Sequence, residues 1–103
     1  YMTTCGGLTE AKRIVELARA RGALVCPGNW STQILGAASV HLAAYSPITP
    51  FIEFAPAEVF ASPLRLELQR NGFPVENGQI AIPDRPGIGY VLPDEIVRRY
   101  AMA

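Results

Sequence analysis

The chain has 103 residues, half of them hydrophobic, with nine basic and nine acidic side chains and a formal net charge of zero. That balance gives no electrostatic case for a nucleic acid or an anionic membrane as partner, and no apolar run approaches the roughly 20 residues that span a bilayer. The composition is that of a soluble globular protein. No signal peptide is visible, although Tyr1 need not be a natural start, and a cytoplasmic location is expected. Cys5 and Cys26 form no CxxC or metal-ligand spacing. They read as buried free thiols of a reducing compartment, the alternative being a disulfide across neighbouring strands.

Taken in order, residues 1–5 read as the tail of a strand running into Gly6-Gly7. Thr9 can cap a helix over 10–21: Glu10 suits its positive end, Arg19 and Arg21 its negative end, and Gly22 a left-handed stop. Ala11, Ile14, Val15 and Ala18 fall at helical spacing, so one face of this helix should cover a sheet.

The stretch 25–56 organises the rest: an apolar run at 23–26, a turn, an apolar helix over 31–45 and a second apolar run at 51–54. Strand, crossover helix and strand in that order imply a parallel sheet. Ile34, Leu35, Ala37, Ala38, Val40, Leu42 and Ala43 leave this helix hardly any polar face, so other elements should bury it, and Gly36 to Ser39 allow close approach. Few partners for it exist within 103 residues.

Beyond Glu53 the character changes. Residues 55–61 are irregular, Ser62-Pro63 can open a short helix to about Gln69, and Asn71-Gly72 ends it. Asn77-Gly78 between 73–76 and 79–82 is a strong hairpin signal. A Pro/Gly-rich crossing at 83–89 leads to a final short helix over 93–101. The chain therefore divides into a βα-layered part, 1–56, and a loop-rich tail, 57–103.

Glu53 is the leading candidate for chemistry. A carboxylate at the end of an apolar strand sits in a desolvated place that can raise its pKa, so it can bind substrate as a neutral acid or donate a proton. A strand-end acid paired with an arginine is the other reading, and both stand. Gly28-Asn29-Trp30 precedes a helix N-terminus whose free N–H groups favour an anion such as a carboxylate, with Trp30 as an apolar wall; a plain βα turn with a packed indole is the alternative. His41, the only histidine, lies inside the apolar helix and reads as a packing residue. Gly87 and Gly89 make a GxG on which no helix opens, so a turn is expected there.

Five ordered blocks, Cys5-Gly6-Gly7-Leu8-Thr9-Glu10-Ala11, residues 25–30, residues 38–44, Phe51-Ile52-Glu53-Phe54 and residues 82–89, resemble the C-terminal end of the mandelate racemase and muconate lactonizing group of the enolase superfamily. The resemblance implies an α/β fold: the C-terminal portion of a (β/α)7β TIM-like barrel, with the end of strand 6, strands 7 and 8, and a tail that returns to a capping domain. It also implies abstraction of the proton α to a carboxylate, with Mg2+ held by ligands outside this chain, which itself would provide no metal ligand.

Glu53 matches the family's eighth-strand glutamate, which meets the substrate carboxylate. The family's general-base dyad, an aspartate ending strand 6 and a histidine ending strand 7, falls on Tyr1 and Gly28, so both partners are replaced together. That disfavours 1,1-proton transfer. What the resemblance implies is a lyase, a sugar-acid dehydratase, with a cycloisomerase or a non-catalytic barrel as alternatives. Glu53 is the expected catalytic residue, and Tyr1, Gly28, Asn29 and Trp30 the expected substrate-binding ones. The expected partners are a small-molecule carboxylate, the remainder of the barrel and capping domain, and further copies in a homo-oligomer. The 103 residues alone are expected to be inactive, because the metal site lies elsewhere and a partial barrel leaves a strand edge unpaired.

Overall fold

A computed structural model of the chain describes residues 1–56 and 58–102. Ala57, in the expected irregular stretch, and Ala103 lie outside the described residues. The element order is α1 (Met2–Cys5), α2 (Gly7–Arg19), α3 (Gln33–Tyr45), α4 (Pro63–Arg70) and α5 (Asp94–Tyr100).

The start of the chain corrects the first expectation: residues 2–5 form a helical turn, not a strand tail. The amides of Thr4 and Cys5 both donate to the Tyr1 carbonyl at 3.1 Å, and the Thr4 hydroxyl donates to it at 3.0 Å. Gly6, at φ 105°, ends that turn and opens α2, so Gly6 takes the capping place expected of Thr9. At the other end the expected stop holds. Gly22 has φ 67°, Ala23 N–H donates to the Ala18 carbonyl at 3.0 Å and Gly22 N–H to that of Arg19 at 3.2 Å, a paired closure that satisfies carbonyls the helix leaves open.

The core gathers at the crossing of α1, α2 and α3. Met2, Ala11, Val15, Leu35 and Leu42 form one buried cluster, with Val25 and Ile48 packed against it from the extended segments on either side of α3. Burying each of the larger aliphatic side chains contributes about 1.5–3 kcal/mol. Ala11 and Val15 are buried as expected, whereas Ile14 stays on the exposed side of α2. The apolar helix is buried along Leu35, Gly36, Ala37, Ser39, Val40 and Leu42. Tyr45, at its end, ties back to α2 by donating from its hydroxyl to Glu16 at 2.9 Å.

No regular strand forms among the described residues, which corrects the expected strands at 23–26, 51–54 and on both sides of Asn77-Gly78. Segments 23–30 and 48–54 still run side by side in the parallel sense: Val25 N–H donates to the Ile48 carbonyl at 3.0 Å and Glu53 N–H to the Pro27 carbonyl at 3.1 Å. A regular parallel ladder from the first bond would next use the amide of residue 50 and then that of residue 27. Both are proline and have no N–H, so two rungs are missing and the pairing resumes at Glu53. The hairpin turn itself is present, with Asn77 and Gly78 at φ 51° and 74° and one antiparallel bridge between Glu76 and Gln79.

The tail folds back on the layered part. Ser62 Oγ accepts from Arg65 N–H at 3.2 Å and caps α4 as expected. Leu68 of α4 and Ile96 of α5 are buried. The Tyr90 hydroxyl donates to the Leu68 carbonyl at 3.0 Å, while Arg99 and Tyr100 both donate to Glu67, at 2.7 and 3.0 Å. His41 behaves as the packing residue expected: its Nε2 donates to the Ile88 carbonyl at 3.2 Å, joining α3 to the 86–89 turn.

Candidate functional site

The two parallel segments end together, and the groups singled out in the sequence converge there. The Asn29 N–H donates to Glu53 Oε2 at 3.1 Å, a contact between residues 24 apart in the chain. The loop ahead of α3 therefore donates one N–H to a carboxyl group of the chain itself. An ionised acceptor strengthens such a bond. The Glu53 N–H donates to the Pro27 carbonyl, so backbone and side chain of Glu53 both bond to residues 27–29.

Glu53 is exposed, which corrects the expectation of a desolvated acid. The strand that would bury it lacks regular pairing, and no neighbouring strand covers it among the described residues. Nor does Glu53 form an ion pair with an arginine among them; the salt bridges there join Arg13 to Glu10, Arg19 to Glu16 and Arg99 to Glu67.

Tyr1 and Gly28 meet directly. A Cβ built on Gly28 would lie 2.7 Å from Tyr1 Cε2 and 2.8 Å from Cζ, so the ring lies flush against the glycine backbone. Trp30, in the loop, is 46% exposed. Its indole meets the Phe60 ring edge-on, with centroids 4.8 Å apart at 68°, a favoured aromatic geometry.

Phe60 and Arg65 were not legible as site residues in the sequence. Phe60 lies in an irregular stretch and Arg65 in a short amphipathic helix, and nothing local says that they reach back to position 30 or 55. Cys26, one residue from the site loop, is exposed rather than buried, and both cysteines are free thiols. Among the described residues no group of three or more His, Cys, Asp or Glu could hold a metal ion, so these residues do not fit a Mg2+ site. No helix among them is long and apolar enough to cross a membrane.

A family model described as enolase C-terminal domain-like matches residues 1–96. The chain belongs to that family. Its helices and the parallel crossing of its extended segments fit the enolase C-terminal fold of the TIM-barrel superfamily, although a barrel is not formed by the residues described. This enolase-family chain is 29% identical over 106 residues to D-galactarolactone cycloisomerase of Agrobacterium fabrum, covering 95% of this chain and 27% of that protein. It is 28% identical over 95 residues to arabinonate dehydratase of Saccharolobus solfataricus, covering 92% of this chain and 24% of that one. Among solved structures, a mandelate racemase/muconate lactonizing enzyme from Jannaschia sp. CCS1 superposes with a TM-score of 0.77 at 34% identity, over 95% of this chain and 24% of that chain. The chain thus spans about a quarter of the length of the relatives it matches. Relatives of this enolase-family chain are superfamily enzymes of several kinds, dehydratase, cycloisomerase and epimerase.

Proposed function

We propose that these residues form the C-terminal wall of an enolase-superfamily active site that abstracts the proton α to a carboxylate, in a sugar-acid dehydratase. The observation that carries the reading is the Asn29 N–H to Glu53 bond at 3.1 Å, which sets a carboxyl group and a backbone donor at the ends of two parallel segments. A substrate carboxylate arriving here competes with Glu53 for that N–H.

Dehydration also needs a proton for the departing hydroxyl. The Tyr1 phenol, held beside Gly28, is a proton-bearing group on this wall. Loss of the α-proton to a base outside residues 1–103 and of the β-hydroxyl as water leaves an enol, which becomes the keto acid. A divalent cation, Mg2+, would be held by ligands outside these residues, with the remaining barrel and capping domain as partners.

A cycloisomerase is the second reading, favoured by the likeness to D-galactarolactone cycloisomerase. A 1,1-proton transfer is the less favoured outcome, because Tyr1 and Gly28 stand at the two positions of the family's base dyad and neither offers a carboxylate or imidazole. The test is Glu53→Gln in the complete enzyme, with products from a panel of sugar acids and lactones separated by mass. A product lighter by one water marks dehydration and an isomeric product marks cycloisomerisation. Glu53→Gln should lower kcat/KM by about 10²-fold or more; unchanged turnover would remove Glu53 from the chemistry.

A further inference from the structure

We infer that Arg65 is a positioning residue that braces both sides of the Glu53–Asn29 site from α4; this rests on the reading of Glu53 as the group that meets substrate. Its Nη2 donates to the Ala55 carbonyl at 3.3 Å, two residues past Glu53. Its Nη1 donates to the Phe60 carbonyl at 3.3 Å, and the guanidinium stands 5.9 Å from the centroid of the Phe60 ring. That ring in turn meets Trp30, the residue after Asn29, at 4.8 Å. One side chain thus reaches the segment that carries the carboxylate and, through Phe60, the loop that carries the N–H donor.

Three further features support the role. Arg65 starts from a fixed point, since its own N–H is held by the Ser62 hydroxyl at 3.2 Å. Among the described residues it has no carboxylate partner in a salt bridge, so its charge serves the two carbonyls, and bonds from a charged donor are the stronger kind. Arg65 also lines, with Asn29, Thr32 and Ala55, a polar space of about 10 Å³, the size of one water, and Asn29 Oδ1 is buried without a partner among the described residues. A planar fork is needed to serve two carbonyls and a ring face together, which lysine lacks.

The test uses the complete protein with Arg65→Gln and Arg65→Lys, each alone and combined with Glu53→Gln. Turnover of D-galactarolactone and arabinonate and hydrogen exchange of the Asn29 amide are the readouts. Arg65→Gln should lower kcat/KM and speed Asn29 exchange by about tenfold each, with exchange at Val15 and Leu42 unchanged. With Glu53→Gln already present, the further loss of turnover should shrink to less than about twofold. Arg65→Lys should recover part of the loss, and it carries the test should the glutamine variant fail to fold.

Equal losses with and without Glu53, or core amides that speed up in parallel, would make Arg65 merely structural and overturn the inference. Glu53→Gln with unchanged turnover would instead overturn the reading of Glu53, and this inference with it. If neither compound is turned over, Asn29 exchange decides alone.

Discussion

The ring of Tyr1 occupies the space that any side chain at position 28 would need, with Tyr1 Cε2 only 2.7 Å from a Cβ built on Gly28. Tyr1 and Gly28 are therefore coupled by shape: the ring fills the space beside the glycine backbone. The ring is the far end of a side chain that is 52% exposed, so it can swing aside. Gly28→Ala should consequently cost less than the roughly 1–3 kcal/mol of an overpacked core, yet displace the ring. Thermal unfolding should show a shift of stability below about 1 kcal/mol, while the Tyr1 aromatic NMR signals move; in the Tyr1→Ala background Gly28→Ala should be silent.

Gly89 should be far less tolerant than Gly87. Both have left-handed backbone, at φ 71° and 67°, but a Cβ on Gly89 would lie 2.6 Å from both Cβ and Cγ of Pro83, whereas one on Gly87 meets nothing within 4 Å. A proline ring cannot rotate away. Gly87→Ala should cost about 1 kcal/mol through its backbone alone, and Gly89→Ala about 2–4 kcal/mol once the clash is added. Urea unfolding midpoints of the two variants check the order.

His41→Ala removes the bond to the Ile88 carbonyl and should destabilise the protein by about 1 kcal/mol. Because that bond joins α3 to the 86–89 turn, the effect should be local. Limited proteolysis should cut within residues 83–89 faster in the variant, with cleavage in α2 unchanged.

The contact between Glu16 and Tyr45 should make stability fall at both ends of the pH scale. The Tyr45 hydroxyl and then Arg19 hold the Glu16 carboxyl below its ordinary value of 4.5. Stability from that group is complete above 4.5 and is lost as pH falls through the lower folded value. The Tyr45 phenol is raised above 10.0, first by its bond to Glu16 and then by burial. Its share is complete below 10.0 and is lost as pH rises through the higher folded value. Tyr45→Phe should flatten both flanks of a plot of unfolding midpoint against pH, and an unaltered acid flank would show that the bond contributes nothing.

Much of the helical framework was readable because its signals are local. The left-handed stop at Gly22, the Ser62 cap, the apolar run of α3 and the Asn77-Gly78 turn each depend on residues within a turn or two of one another, and each appears in the structure. The start of α2 differs for the same reason: Thr9 looks like a cap, but Gly6 in a left-handed conformation takes the chain directly from α1 into α2. Apolar runs describe burial and not pairing, and Pro27 and Pro50 withhold the amides that would make a ladder, so no regular strands form among the described residues.

The order of residues along the chain sets which groups meet at the ends of the two parallel segments. Gly28, Asn29 and Glu53 follow from the order of an apolar run, a turn, a helix and a second apolar run, because a parallel crossing brings both segment ends to one side. What these groups do to one another depends on contacts across the fold. That the loop ahead of α3 donates an N–H to Glu53, that Tyr1 seals against Gly28, and that Arg65 reaches Ala55 and Phe60 are contacts between residues far apart in the chain or on different elements. Side-chain reach and backbone shape set them, and no local pattern of residues encodes either.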